Sequence, residues 1–291
     1  MKFLNHTFVQ RLALGLLMFF TTNARAYSQA GQYVTIGSNT VEVDNLTILD
    51  SVESNNRLAR SLAFEVNLSA DENTLAFISQ LEQSLASNKM LTISVVYTGA
   101  AFPKAKTSNG GAFSEERTYT AAVVKELIIS PLDATERRGL TMHVKIQGGS
   151  TVSVRKPDAR NATLKKQDRV NRLAASNFNV RFGNLESRYV TSISPLSIGT
   201  ASPLGLGSRF SMEIYESEKQ SWADQFGDGA GKILKDGTIE ILSQDLKTVE
   251  LTIYLKDIII ISYRSNNKDV AVIPKATFGL KAGSISLTRP K

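Results

Sequence analysis

The chain contains no cysteine. That excludes thiol nucleophiles, disulfides, cysteine-ligated zinc and thiol redox chemistry. It has two histidines, His6 and His143, and one tryptophan, Trp222. His6 belongs to an N-terminal segment expected to be removed, which leaves His143. One histidine without cysteine is too little for a zinc site. A Ser-His-Asp triad would have to use this residue, which lies between Met142 and Val144 in an alternating stretch and reads as structural. No apolar run approaches the roughly 20 residues of a spanning helix. A large surplus of one charge is also missing. The net charge of +7 owes three basic residues and no acid to the first 26 positions, so 31 basic against 27 acidic residues remain beyond them, a balance of +4. That is weak support for a nucleic-acid partner.

What is present is the composition of a packed globular chain: 291 residues, 42% hydrophobic and 21% charged, enough for one large or two ordinary domains. Lys2 and Arg11 precede the apolar run LALGLLMFF at 12–20, and Ala24-Arg25-Ala26 places small residues at both cleavage-site positions. This predicts a secretory signal peptide over 1–26, cleaved near Ala26, and an exported mature chain beginning near Tyr27. Without disulfides such a chain relies on its hydrophobic core.

The strongest strand signal is DLKTVELTIYLKDIIIISY at 245–263. Val249, Leu251, Ile253 and Leu255 alternate with polar residues. Lys256-Asp257 then interrupts, and four consecutive isoleucines at 258–261 suit a strand buried on both faces. Strands are also expected around 33–49, with a turn at Gly37-Ser38-Asn39, and at 62–68, 90–97, 118–129, 141–146, 178–182, 210–215, 270–273 and 278–287. A helix of about four turns is expected after Ser69 or Asp71, from the spacing of Leu75, Ile78, Leu81 and Leu85. A shorter one is expected at 217–226, carrying Trp222. Asp236-Gly237 reads as a hairpin turn, and 99–116 reads as a long loop containing Gly110-Gly111.

The two halves resemble each other. LAFEVNL followed by a capped helix matches FSMEIY followed by SEKQSWADQF; VKELIIS at 124–130 matches LKDIIIIS at 255–262; each is then followed by a polar turn and a closing strand. The order of elements agrees twice, which points to internal duplication, although Phe77 and Trp222 lie 145 residues apart and Lys125 and Lys256 only 131. The expected organisation is a first β domain at 27–154, a basic linker at 155–176 and a second β domain at 177–291. Arg155, Lys156, Arg160, Lys165, Lys166, Arg169 and Arg172 face only Asp158 and Asp168 across that linker. It has no aromatic residue for base stacking and reads as a solvated linker or exposed helix.

No catalytic, metal or cofactor motif stands up. GDGAGK at 227–232 is one residue short of a phosphate loop, and Ile233 stands where Ser or Thr is needed. It lacks calcium-loop spacing as well. Asp71-Glu72 reads as a helix start and Glu115-Glu116 as a solvated loop, not as a glycosidase pair. Asn45, Asn67 and Asn161 begin glycosylation sequons, which matter only in a eukaryotic host.

The 245–263 stretch, with the strand and Trp222 segment before it and the polar turn and strand after it, resembles the tube-forming proteins of contractile phage tails and related injection systems. TYTAAVVKELIISPLDATERRGLTMHVKI in the first half is similar to the same family's late strand, turn and final strand. The resemblance covers most of the chain as pattern. It implies a mainly β (α+β) chain of two tandem small β-barrel or sandwich domains, each with one flanking helix. It further implies assembly as a homo-oligomer ring with other tube or tail-like components, no catalysis, and for a two-domain chain a trimer with pseudo-sixfold symmetry. The alternative function is an exported β-sandwich binding module for a glycan or a surface partner, acting through the 99–116 loop.

Overall fold

The structure is a computed structural model and describes residues 31–52, 58–97, 113–148, 151–157, 172–182, 185–187, 189–198, 208–215, 233–265 and 273–288. The chain is mainly β, with two β domains and one helix among the described residues. The first half contributes β1 (Gln32–Ile36), β2 (Asn39–Val52), β3 (Leu58–Asn67), α1 (Glu72–Ser87), β4 (Leu91–Tyr97), β5 (Phe113–Ile129), β6 (Leu132–Asp133), β7 (Thr141–Gly148) and β8 (Thr151–Pro157). The second contributes β9 (Phe178–Phe182), β10 (Leu185–Ser187), β11 (Val190–Ile193), β12 (Leu196–Ile198), β13 (Ser208–Tyr215), β14 (Ile233–Leu242), β15 (Val249–Ser265), β16 (Lys275–Ala282) and β17 (Ser284–Thr288).

In the first half β1, β2, β3, β7, β5 and β4 pair in that order, all antiparallel, and β4 returns to β1. The ring is a closed six-stranded barrel, which removes the open edges a flat sheet would carry. Alternation supplies its interior: Val34 and Ile36, Val41 and Val43, Leu62, Phe64 and Val66, Ile93 and Val95, and Met142, Val144 and Ile146 are all buried. The β1–β2 turn has Gly37 at φ 60°, a conformation that favours glycine. Helix α1 begins where its cap requires. Asp71 accepts from the Thr74 backbone N–H at 2.8 Å, and Asn88 ends the helix in a left-handed conformation. Phe77, Ile78, Leu81 and Leu85 form its buried stripe. Asn73 grips both backbone groups of Thr40 on β2, and the Ser84 hydroxyl accepts from Val124 N–H beside a bulge in β5.

The second half repeats this topology. β9 pairs with β10 and β14 as β1 does with β2 and β4; β14 pairs with β15, β15 with β16, β16 with β13 and β13 with β11. β10 and β11 stand in the place of β2, so the ring opens between Ser187 and Val190 and this second barrel is an open half-barrel. The registers agree in detail. Arg60–Asn67 on β3 meet β7 in eight pairs, and Ser208–Tyr215 on β13 meet β16 in eight pairs. β5 and β15 are both 17 residues long. Each pairs along one edge with a strand broken in two, β7–β8 or β16–β17. Opposite each break stands a residue with positive φ, Ala121 at 54° and Asp257 at 51°. Three residues further on each strand carries a bulge, at 124/126 and at 260/262. These two features are 136 residues apart in both cases. VKELIIS and LKDIIIIS therefore lie on corresponding strands, but five residues out of register.

Several expectations need correction. Phe113–Glu116 are strand, not loop; they pair with β8, and Glu116 accepts from the Ser94 hydroxyl at 2.7 Å. The rest of the 99–116 loop lies outside the described residues, as do 1–30, the 217–226 helix, the 227–232 glycine stretch, Asn161 and most of the basic segment. Arg155 and Lys156, expected in a linker, are on β8, and Arg172 bridges Ser69. Asp236-Gly237 is not a turn but the middle of β14. Gly237 is there because a Cβ would run into the Phe182 ring and come within 2.6 Å of Ile258 Cδ1. The Lys256-Asp257 break is a kink within one continuous strand, with Gly283 N–H donating to Lys256 O at 2.9 Å. The isoleucine run is not buried on both faces, because a barrel wall has one interior: Ile258 is buried and Ile261 is 40% exposed. Ile273 lies outside any strand, and Gly283 divides the closing 278–287 stretch.

Candidate assembly surface

The two barrels meet through an exchange of strands. β5 of the first barrel leads through Ile129-Ser130-Pro131-Leu132 into β6, and β11 of the second leads through Ile193-Ser194-Pro195-Leu196 into β12. The same tetrapeptide thus occurs twice, and the two copies lie antiparallel. Ile129 stands opposite Leu196 on β12, and Leu132 on β6 stands opposite Ile193. The register is unbroken: Leu127 faces Ile198 at one end, Asp133 faces Ser192 at the other, and Ala134 N–H donates to Thr191 O just beyond. β12 therefore adds to the first sheet and β6 to the second.

Proline makes the crossing possible. It carries no N–H, so a chain can leave its own sheet there without orphaning a donor. The preceding serine completes the corner. Ser130 N–H donates to Thr141 O at 2.9 Å and its hydroxyl accepts from Thr141 N–H at 3.1 Å. Ser194 does the same with Ser211, at 2.9 and 2.8 Å. Past each corner the leucine enters the other barrel's sheet. Leu127, Ile129, Leu132, Ile193, Leu196 and Ile198 are all buried, and burying such a side chain contributes about 1.5–3 kcal/mol. The end of the basic stretch reinforces the junction: Leu173 bonds to Leu68 and Leu140, and Ala175 to Arg138 and Asp133.

Helix α1 makes a further link. Glu82 accepts from the backbone N–H of Leu287 on β17 at 2.8 Å, joining the first barrel's helix to the second barrel's last strand. Burial raises the Glu82 carboxyl to about 7, against the lowering effect of that bond.

The corresponding surface of the second barrel is not covered in the same way. β14 follows β15 only as far as Ile259, and no described strand continues along that edge. At the matching place in the first barrel, β12 covers Leu127 and Ile129 completely. On β15 Tyr263, which matches Leu127, is 46% exposed, with its ring tilted against Phe278 at 5.1 Å.

The residues considered for chemistry are not brought together. His143 is on β7, opposite Glu65 and Ile128. Asp71 caps α1 and Glu72 lies in its first turn. Asn45 Nδ2 donates to Glu65 and Asn67 Nδ2 to Asp44, at 2.9 and 2.7 Å. No group of three or more potential metal ligands occurs among the described residues, and none of their helices is long and apolar enough to cross a membrane. The feature missed in the sequence is the repeated Ile-Ser-Pro-Leu, whose only signal is its recurrence. No protein-family model matches the chain, and comparison with curated proteins gives no significant match.

Proposed function

We propose that this is an exported, non-enzymatic structural protein, similar to a tail-tube subunit, that self-assembles into rings or tubes. The observation that supports this reading is the strand exchange between two barrels of the same topology. Within the chain the two barrels associate through sheet edges, and the second barrel repeats the edge that the first uses. Three chains, each bringing two similar barrels, make a ring with pseudo-sixfold symmetry, which stacks with further rings or with other tube components. Export follows from the 1–26 signal. The test is electron microscopy of the mature chain from Tyr27 at high concentration. Rings or stacked rings are expected, and a uniform field of single particles the size of one chain refutes the proposal.

A further inference from the structure

Two strand edges carry no partner strand among the described residues, one on each barrel. On β15 it is the edge of residues 261–264, beyond Ile259 where β14 stops. On β2 it is the edge of residues 48–52, because β1 pairs with β2 only as far as Val43 while β3 occupies the other side. These edges correspond to the two that meet inside the chain. Counted from the shared bulge, residues 261–264 match 125–128 of β5. Counted from the pairing of Thr47 with Ala63, which matches the bond between Ser194 and Ser211, residues 48–51 match 195–198.

We propose that β15 of one copy pairs antiparallel with β2 of a second copy, repeating between chains the junction that β5 and β12 make within one. The matching register sets Arg264 opposite Asp50 and Tyr263 opposite Ser51, where the internal junction sets Ile128 opposite Ser197 and Leu127 opposite Ile198. Opposite charges across an antiparallel pair are favourable, and the contact covers the exposed Tyr263. Because the two edges differ, the contact is head-to-tail. Each added copy offers a new open edge until a ring closes. This rests on the assembly reading above and adds which strands meet.

The absence of cysteine makes the test clean, since introduced thiols report only the intended contact. Asp50→Cys and Arg264→Cys are purified separately as full mature chains, then mixed under mild oxidation. Directly opposed residues lie within disulfide reach, so a covalent pair is expected in the mixture and in neither variant alone. Wild-type assembly without a mixed disulfide overturns the edge assignment and leaves assembly standing. A wild-type chain that stays monomeric removes both. As a second measurement, Tyr263→Lys puts a second positive charge beside Arg264 on the exposed edge. Loss of the assembled species with an unchanged unfolding temperature is expected; a folded variant that still assembles contradicts the proposal.

Discussion

At the scale of single residues, packing decides what composition leaves open. Ile36 and Ile93 pair with each other in the first barrel, and Phe182 and Gly237 take the same two places in the second. The larger ring fills the space that the missing side chain vacates, and both barrels keep a full core. Gly237→Ala should therefore overpack β14 and destabilise by about 1–3 kcal/mol. Phe182→Leu in the same chain should recover part of that loss, as read by denaturant unfolding of the two variants and the double. Glu82 carries a different prediction. Its folded carboxyl titrates near 7 and its unfolded one near the ordinary 4.5, so between those values the folded chain holds the extra proton. Stability is then highest below the unfolded value, falls as pH rises towards 7 and levels off above it. The span corresponds to about 3 kcal/mol. Glu82→Gln keeps an oxygen for Leu287 N–H and should flatten that slope, leaving the variant more stable than wild type at pH 8.

At the scale of elements, the two Ser-Pro corners carry the organisation. Leu196 is the first residue of an exchanged strand and is buried. Leu196→Ala should cost about 2–5 kcal/mol, which a thermal melt would register, whereas an equally large truncation at exposed Leu246 should cost little. The limits of sequence reading are plain at this scale. Helix α1 was legible because its cap and its apolar spacing agree, and β3, β4, β9 and β13 were legible from simple alternation. β6 and β12 were not, being two and three residues long inside turn-like composition. They are strands only because another barrel supplies the partner. Gly237 has the look of a turn residue, yet the demand it meets is steric. The duplication was visible in the order of elements, but the Lys-acid-aliphatic likeness set the strands five residues out of register, since aliphatic runs match one another at many offsets.

At the scale of the whole molecule, the buried side chains of both barrels form one continuous core. The exchanged strands and the link from Glu82 to Leu287 cross between the halves. A single unfolding transition is expected, with near-ultraviolet circular dichroism from buried aromatics such as Tyr119 and far-ultraviolet circular dichroism changing together. The assembly proposal stands on the two β domains. Its logic is that an edge satisfied within the chain at one place recurs uncovered at the equivalent place. The measurement that bears on this most directly is the native mass of the chain from Tyr27 onward across a range of concentrations. The account predicts a species of three chains, or a multiple of three, that grows at the expense of monomer as concentration rises. A mass of one chain at every concentration would contradict it.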